Sequence, residues 1–68
     1  MDEDLLDASI RKFLKTFGVT AQREIEKAVR QAISEGRLHE NRPLQVKATL
    51  NLDEIGLVHS VEDHLEFT

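Results

Sequence analysis

The side chains that could do chemistry in this chain are three histidines, a few serines and many carboxylates, because cysteine is absent. Their spacing places no serine, histidine and carboxylate together as a triad, and the three scattered glycines form no phosphate-binding loop. His59 and His64 are five residues apart in a predicted strand, so they point to opposite faces. His59 and Asp63 share a face but lie about 13 Å apart, which is too far for two ligands of one metal ion. His39 and Glu40 lie in a polar connector. We expect no enzyme activity, no metal site and no cofactor.

Three basic residues suggest a different kind of function. Arg23, Lys27 and Arg30 lie along one side of a predicted helix, where they could contact phosphates. That helix would follow a short turn at Gly18, as in helix-turn-helix modules. Acidic residues share the helix, and the net charge of −4 argues against general affinity for nucleic acid. The other interpretation of the same segment is a plain helical hairpin with a solvated charged face.

Two helices are predicted in the first half of the chain, over about 3–17 and 21–35. Apolar residues recur there every three or four positions. Gly18 is expected to end the first helix, Thr20 to cap the second and Gly36 to end it. The first apolar stripe comprises Leu6, Ile10, Phe13, Leu14 and Phe17, and the second comprises Ile25, Ala28, Val29, Ala32 and Ile33.

A β-hairpin is predicted in the second half, with strands over about 44–52 and 57–67. Apolar and polar residues alternate in both segments, and Gly56 supplies the positive φ that a turn over 53–56 requires. Pairing Leu52 with Leu57 puts apolar residues on one face and gives sensible polar pairs on the other. This register sets Lys47 against Glu62, Thr49 against Ser60, Gln45 against His64, Leu50 against His59, Ala48 against Val61, Leu44 against Leu65 and Val46 against Asp63. The last pair is a misfit that indicates a bulge or the sheet margin.

These elements predict one α+β domain over residues 1–68. Its architecture is a two-layer α-α-β-β arrangement, with the helical hairpin packed on one face of the antiparallel β-hairpin. The change from helical to alternating periodicity falls at Gly36. The predicted shared core comprises Ile10, Phe13, Phe17, Ile25, Val29, Leu50 and Val61.

Composition restricts the class of protein further. The hydrophobic share is 40% and the charged share 32%, which is typical of a globular chain. No apolar run exceeds two residues, so we expect no membrane span and no signal-peptide core. With cysteine absent as well, we expect a cytoplasmic protein.

The outer edge of the strand over 44–52 is a predicted contact site, because Lys47 is its single charge and charges discourage edge pairing. We expect a protein partner there, or a weak homodimer through that edge, unless the connector over 37–43 covers it.

The helical half of the chain resembles a family of small bacterial single-domain proteins classed as a domain of unknown function. The residues that carry the resemblance are Ser9–Lys15, Gly18–Thr20 and Gln22–Val29, with weaker similarity at Leu44, Thr49–Leu50 and Gly56–Leu57. The resemblance implies a bacterial, cytoplasmic, stand-alone protein and supplies no functional residues.

By elimination, the sequence favours a non-enzymatic small protein-interaction domain. The alternative is a small nucleic-acid-binding protein that uses the element around Gly18 together with Arg23, Lys27 and Arg30. A continuous positive patch over those three residues would favour the alternative, whereas interspersed acid would favour the interaction domain.

Overall fold

The computed structural model describes residues 1–38 and 42–67. They belong to two compact units, Met1–Leu38 and His39–Thr68. The first is helical and the second is a β-hairpin, so the α+β class is confirmed. The expectation for His39 and Glu40 lies outside the described residues. The packing of helix against hairpin in two layers stays a prediction.

One helix, α1, runs from Glu3 to Ser34. The carboxylate of Asp2 caps its start, since Oδ1 accepts a hydrogen bond of 3.0 Å from the Leu5 N–H group. Its end is closed by Gly36, which has a φ of 71°. The N–H of Gly36 donates to the carbonyl of Ile33, and the N–H of Arg37 donates to the carbonyl of Ala32. These two bonds form a Schellman motif, so the predicted helix stop at Gly36 is confirmed.

The predicted break between two helices at Gly18 is wrong. Gly18 is helical, and Thr20 caps nothing, because its hydroxyl donates back to the carbonyl oxygen of Thr16 at 2.8 Å. A glycine inside a helix costs only about 1 kcal/mol relative to alanine. Phe17, Ala21 and Ile25 follow one another at four-residue spacing, which a continuous helix keeps on one face. The apolar stripe therefore favours continuation across the glycine.

The hairpin consists of β1 (Leu44–Leu52), a short 3-10 helix (Asp53–Ile55) and β2 (Leu57–Leu65). Gly56 adopts a φ of 68°, as the turn was expected to require. The bounds of β1 agree with the prediction. The second strand ends two residues before the predicted position 67.

The predicted register is confirmed at every position. Leu52 pairs with Leu57, Lys47 with Glu62, and each intermediate pair follows in antiparallel order. Val46 lies opposite Asp63 within this unbroken ladder, so the misfit produces no bulge. Alternation and turn length are both local signals, and together they leave one register that keeps the apolar residues on one face.

The predicted core is largely wrong. Ile25, Val29 and Leu50 are half-buried, whereas Ile10, Phe13, Phe17 and Val61 are exposed. Among residues 1–38 and 42–67, Ala32 is the single buried residue, at 8% exposure. The prediction relied on two helices that both pack on the hairpin. Because the helical unit is one continuous helix, Phe13 and Phe17 have no second helix of that unit beside them.

Candidate interaction surface

The first half of α1 carries a continuous row of large apolar side chains, which we call the N-terminal seam. Its members share spacings of three and four residues, so they lie on one face of the helix. Each of these residues is between 43% and 55% exposed. The N-terminal seam consists of Leu6, Ile10, Phe13, Leu14 and Phe17.

The helix holds this row rigidly. Its cap at Asp2 lies one turn before Leu6, and the Ser9 hydroxyl donates a 3.0 Å hydrogen bond to the Leu5 carbonyl. Beyond the row, the Thr20 hydroxyl donates to the Phe17 carbonyl at 3.3 Å. From Leu6 to Phe17 the seam extends about 16 Å along the axis, at 1.5 Å per residue. The seam is therefore a narrow, preformed apolar ridge.

Exposure changes along the apolar stripe. In the second half of α1, Ala21, Ile25 and Val29 are half-buried and Ala32 is buried. The side chains there are also smaller on average than those of the seam. The largest apolar groups of the helix thus occupy the half that is more exposed to solvent.

Charges around the seam are segregated along the helix. Four carboxylates precede or occupy the first two turns, and three basic side chains follow within the next turn and a half. The acidic residues are Asp2, Glu3, Asp4 and Asp7, and the basic residues are Arg11, Lys12 and Lys15. This order favours the helix dipole at its start. The basic residues lie on the side of α1 away from the seam, because each is more than about 100° around the helix from its middle.

The three candidate nucleic-acid contacts lie on exposed positions of the second half of α1. Their i, i+4, i+7 spacing places Arg23, Lys27 and Arg30 on one side of the helix. Glu26 lies among them: its carboxylate accepts from Gln22 at 2.9 Å and lies 3.5 Å from the Arg30 guanidinium. The helix-turn-helix geometry that would present them is absent from residues 1–38, because α1 is continuous through Gly18.

The polar face of the hairpin carries cross-strand pairs. Lys47 lies 3.8 Å from Glu62, and the hydroxyls of Thr49 and Ser60 are 3.0 Å apart. A half-open depression of about 310 Å³ is lined by Gln45, Val46, Lys47 and Glu62. These residues offer one exposed ion pair and an amide, which can bind water or a small polar group but provide no nucleophile with an adjacent base.

The imidazoles of the hairpin lie far from one another, as their strand positions dictate. His59 pairs with Leu50 and His64 with Gln45, five residues apart on β2. The carboxylate of Asp63 accepts a 2.8 Å hydrogen bond from the His64 backbone N–H group. Within the part of the chain that the structure describes, no three histidine or carboxylate side chains converge as metal ligands.

The apolar side chains of β2 are also exposed. Val61 is 56% exposed, and Leu57 and Val58 lie open to solvent on the same strand. Leu57 and Val58 are consecutive and point to opposite faces, and His59 separates Leu57 from Val61 on one face. The seam residues, in contrast, are contiguous on one helix face. The seam is the larger apolar surface of the two.

Sequence reasoning identified the seam residues and assigned them to the wrong environment. Their period was correctly interpreted as one helical face, but that face was taken to be interior. The four-residue spacing of Phe17, Ala21 and Ile25 indicates a continuous helix. It was therefore also the signal that no second helix covers the seam. One continuous helix cannot fold back to cover its own stripe.

A family model covers residues 1–68, and its description is Family of unknown function (DUF6494). The chain belongs to this family. No curated protein matches the sequence, and no solved structure does. A family of unknown function supplies no residue roles for this chain. Across the described residues of this family member, no helix is both long enough and apolar enough to cross a membrane.

Proposed function

We propose that this protein is a non-enzymatic interaction module that binds another polypeptide chain through the N-terminal seam. The observation that carries the proposal is the exposure of five large apolar side chains in one row on α1. Contiguous apolar surface of this kind is typical of protein–protein contacts. A helix face with i, i+3, i+4 and i+7 anchors is a recurring way to form them.

The energetics support a modest affinity. Burying a Leu, Ile or Phe side chain fully contributes about 1.5–3 kcal/mol, so completing the burial of a half-exposed one contributes about 1 kcal/mol. Five seam residues thus offer about 5 kcal/mol from this chain, and the partner surface contributes in addition. Association itself costs about 4–15 kcal/mol. The balance favours a weak complex over a tight one.

The dispersion of reactive side chains supports a binding function over catalysis. The histidines of the hairpin are exposed and face different strand partners, and the depression beside Lys47 and Glu62 has no histidine in its lining. The acidic, cysteine-free composition is consistent with action in a bacterial cytoplasm, where we propose the protein works.

Nucleic-acid binding is the second candidate, because Arg23, Lys27 and Arg30 share one exposed side of α1. Glu26 interrupts that side and pairs with Arg30, which favours the interaction module. The test is duplex DNA binding as a function of salt. Replacing all three cations with glutamine should reduce the slope of log affinity against log salt by about 3 if they contact phosphates. An unchanged slope would eliminate this candidate.

The outer edge of β1 is a second proposed contact, for a partner strand or for a weak homodimer. β1 carries a single charged residue, Lys47, whereas β2 carries Glu62 and Asp63. The less charged edge is the better template for another strand. Such a contact is independent of the seam, so variants in the seam and amide exchange at β1 distinguish the two.

The interaction module is tested by capture with matched variants. Tagged protein is incubated with bacterial lysate and with untagged copies of the chain, and all captured chains are quantified. We expect Phe13→Asp, in the middle of the seam, to lose capture. The control is Thr16→Asp, which places the same charge on the same half of α1 but off the apolar stripe. Equal capture by wild type and Phe13→Asp would contradict the proposal.

A further inference from the structure

The N-terminal seam has a property that a general docking surface does not need: it is complementary to itself when reversed. We propose that its occupant is a second copy of this chain, with the two α1 helices antiparallel and crossing near residues 11 and 12. This inference rests on the proposed function, since it names the partner of the same surface. It places a twofold axis midway between Leu6 and Phe17.

Side-chain size supports the antiparallel direction. Two residues that face each other across this axis have numbers that sum to about 23. Leu6 therefore faces Phe17 of the second copy, and Ile10 faces Phe13 of the second copy. Each layer then pairs one aliphatic side chain with one aromatic side chain. A parallel pair would set Phe13 against Phe13 and Phe17 against Phe17, leaving the aliphatic layers thin. Alternating large and small side chains across facing positions is what fills an interhelical space evenly.

Charge supports the same direction. In a parallel pair, the acidic first turns of the two helices, residues 2–7, would lie side by side. The antiparallel pair separates them to opposite ends, which removes that repulsion. Arg11, Lys12 and Lys15 lie more than about 100° around the helix from the middle of the seam, so they make no contact across the pair. Charges near a helix interface help to set helix orientation.

The spacing within the seam indicates where the pairing stops. Leu6, Ile10, Phe13 and Phe17 follow a 4-3-4 pattern, which keeps knobs facing a partner helix. After Phe17 the apolar residues recur every four positions, at Ala21 and Ile25. Because four residues exceed one helical turn, the stripe there rotates around α1, away from the partner helix.

Two half-exposed seams offer on the order of 800 Å² of side-chain surface between them, with aromatic residues the largest contributors. With flanking residues, this reaches the roughly 1,000 Å² that a weak specific interface requires.

The first experiment is sedimentation equilibrium of the purified chain between about 1 μM and 1 mM. We expect the mass to rise from 7.8 kDa toward twice that value, 15.6 kDa. Phe13→Asp should hold the mass at 7.8 kDa throughout, and Thr16→Asp should follow the wild type. Helix content by circular dichroism is measured in parallel, so that an unfolded variant is recognised.

The second experiment measures orientation in the otherwise unaltered chain and does not depend on a disruptive variant. Because the sequence has no cysteine, Ala21→Cys, on the same side of α1 as Phe17, provides a unique site for a spin label. In the antiparallel pair the two labels are separated along the axis by about 28 Å, from 1.5 Å per residue. In a parallel pair they lie level with each other, between helix axes that are about 8–10 Å apart. A short distance between labels would overturn the antiparallel arrangement.

The remaining outcomes separate this inference from the proposed function. A purified chain that stays at 7.8 kDa up to 1 mM overturns pairing with a second copy. If lysate capture is then still lost in Phe13→Asp, the seam binds a different protein and the interaction module stands. If capture is insensitive to Phe13→Asp as well, both fail.

Discussion

The hydroxyl of Thr20 donates a hydrogen bond to the carbonyl oxygen of Thr16, 2.8 Å away and one helical turn earlier. The bond spans Gly18, the position where the sequence suggested a turn. It belongs to a helix interior, because a threonine that caps a helix accepts from N–H groups that follow it. The pair therefore marks α1 as one element and leaves the apolar row before Gly18 without a second helix beside it.

Replacing Gly18 with alanine should stabilise the protein. Gly18 lies inside α1, and an added Cβ meets no described atom within 4 Å. We expect Gly18→Ala to raise the free energy of unfolding by about 0.8–1 kcal/mol, measured by urea titration. The control is Gly36→Ala, which should lower it by about 1–2 kcal/mol, because φ there is +71°. A loss of stability in Gly18→Ala would indicate the turn that the sequence suggested.

Removing the cap at Asp2 should loosen the start of α1. The carboxylate accepts from the Leu5 N–H group, and Asp2→Ala leaves that donor without its protein partner. We expect a loss of about 1 kcal/mol in helix stability, seen as faster hydrogen exchange at Leu5. Asp2→Asn should restore protection, since asparagine caps about as well as aspartate. Identical exchange in all three proteins would show that the cap contributes nothing.

The effect of Phe13→Ala should depend on protein concentration. In the isolated chain Phe13 is 55% exposed, so truncation should cost about 1–2 kcal/mol rather than the 3–5 kcal/mol of a core phenylalanine. At concentrations where the seam is paired, the loss should increase, because stability is then linked to association. Thermal melts at about 5 μM and 500 μM test this. A large loss at the lower concentration would place Phe13 in a core within one chain.

Amide exchange along β1 should report whether its outer edge is occupied. In the described sheet β1 pairs with β2 alone, so every other N–H group of β1 points away from its partner. We expect alternating protected and fast-exchanging amides over Leu44–Leu52. Protection that rises at all positions with concentration would indicate pairing of two copies through this edge. Fast outward amides at 1 mM would defeat the edge dimer and leave the seam as the proposed contact.

The hairpin could be predicted from sequence almost completely. Five apolar residues alternate from Leu44 to Leu52, and Gly56 fits the one position that needs a positive φ. These signals act between residues close in sequence, and a slip of one residue would reverse both faces. The misfit of Val46 with Asp63 was located correctly. Of its two expected explanations, the bulge is absent, and the pair lies two positions from the end of the ladder.

The break at Gly18 was predicted wrongly because two weak local signals were weighed above a continuous pattern. A glycine and a following threonine bias the backbone by about 1 kcal/mol each. The apolar stripe that continues from Phe17 to Ile25 outweighs them, since it is shared by every turn of α1. The same error produced the wrong core, as it supplied a second helix that does not exist.

The sequence by itself determined the helical face, the helix ends at Asp2 and Gly36, and the strand register, because each follows from periodicity or from one backbone dihedral. Only the tertiary structure decided that Phe13 and Phe17 are exposed. Periodicity specifies which side chains share a face and favours covering that face. Whether a second helix covers that face depends on a turn within the helical half of the chain, and the continuous α1 contains no such turn.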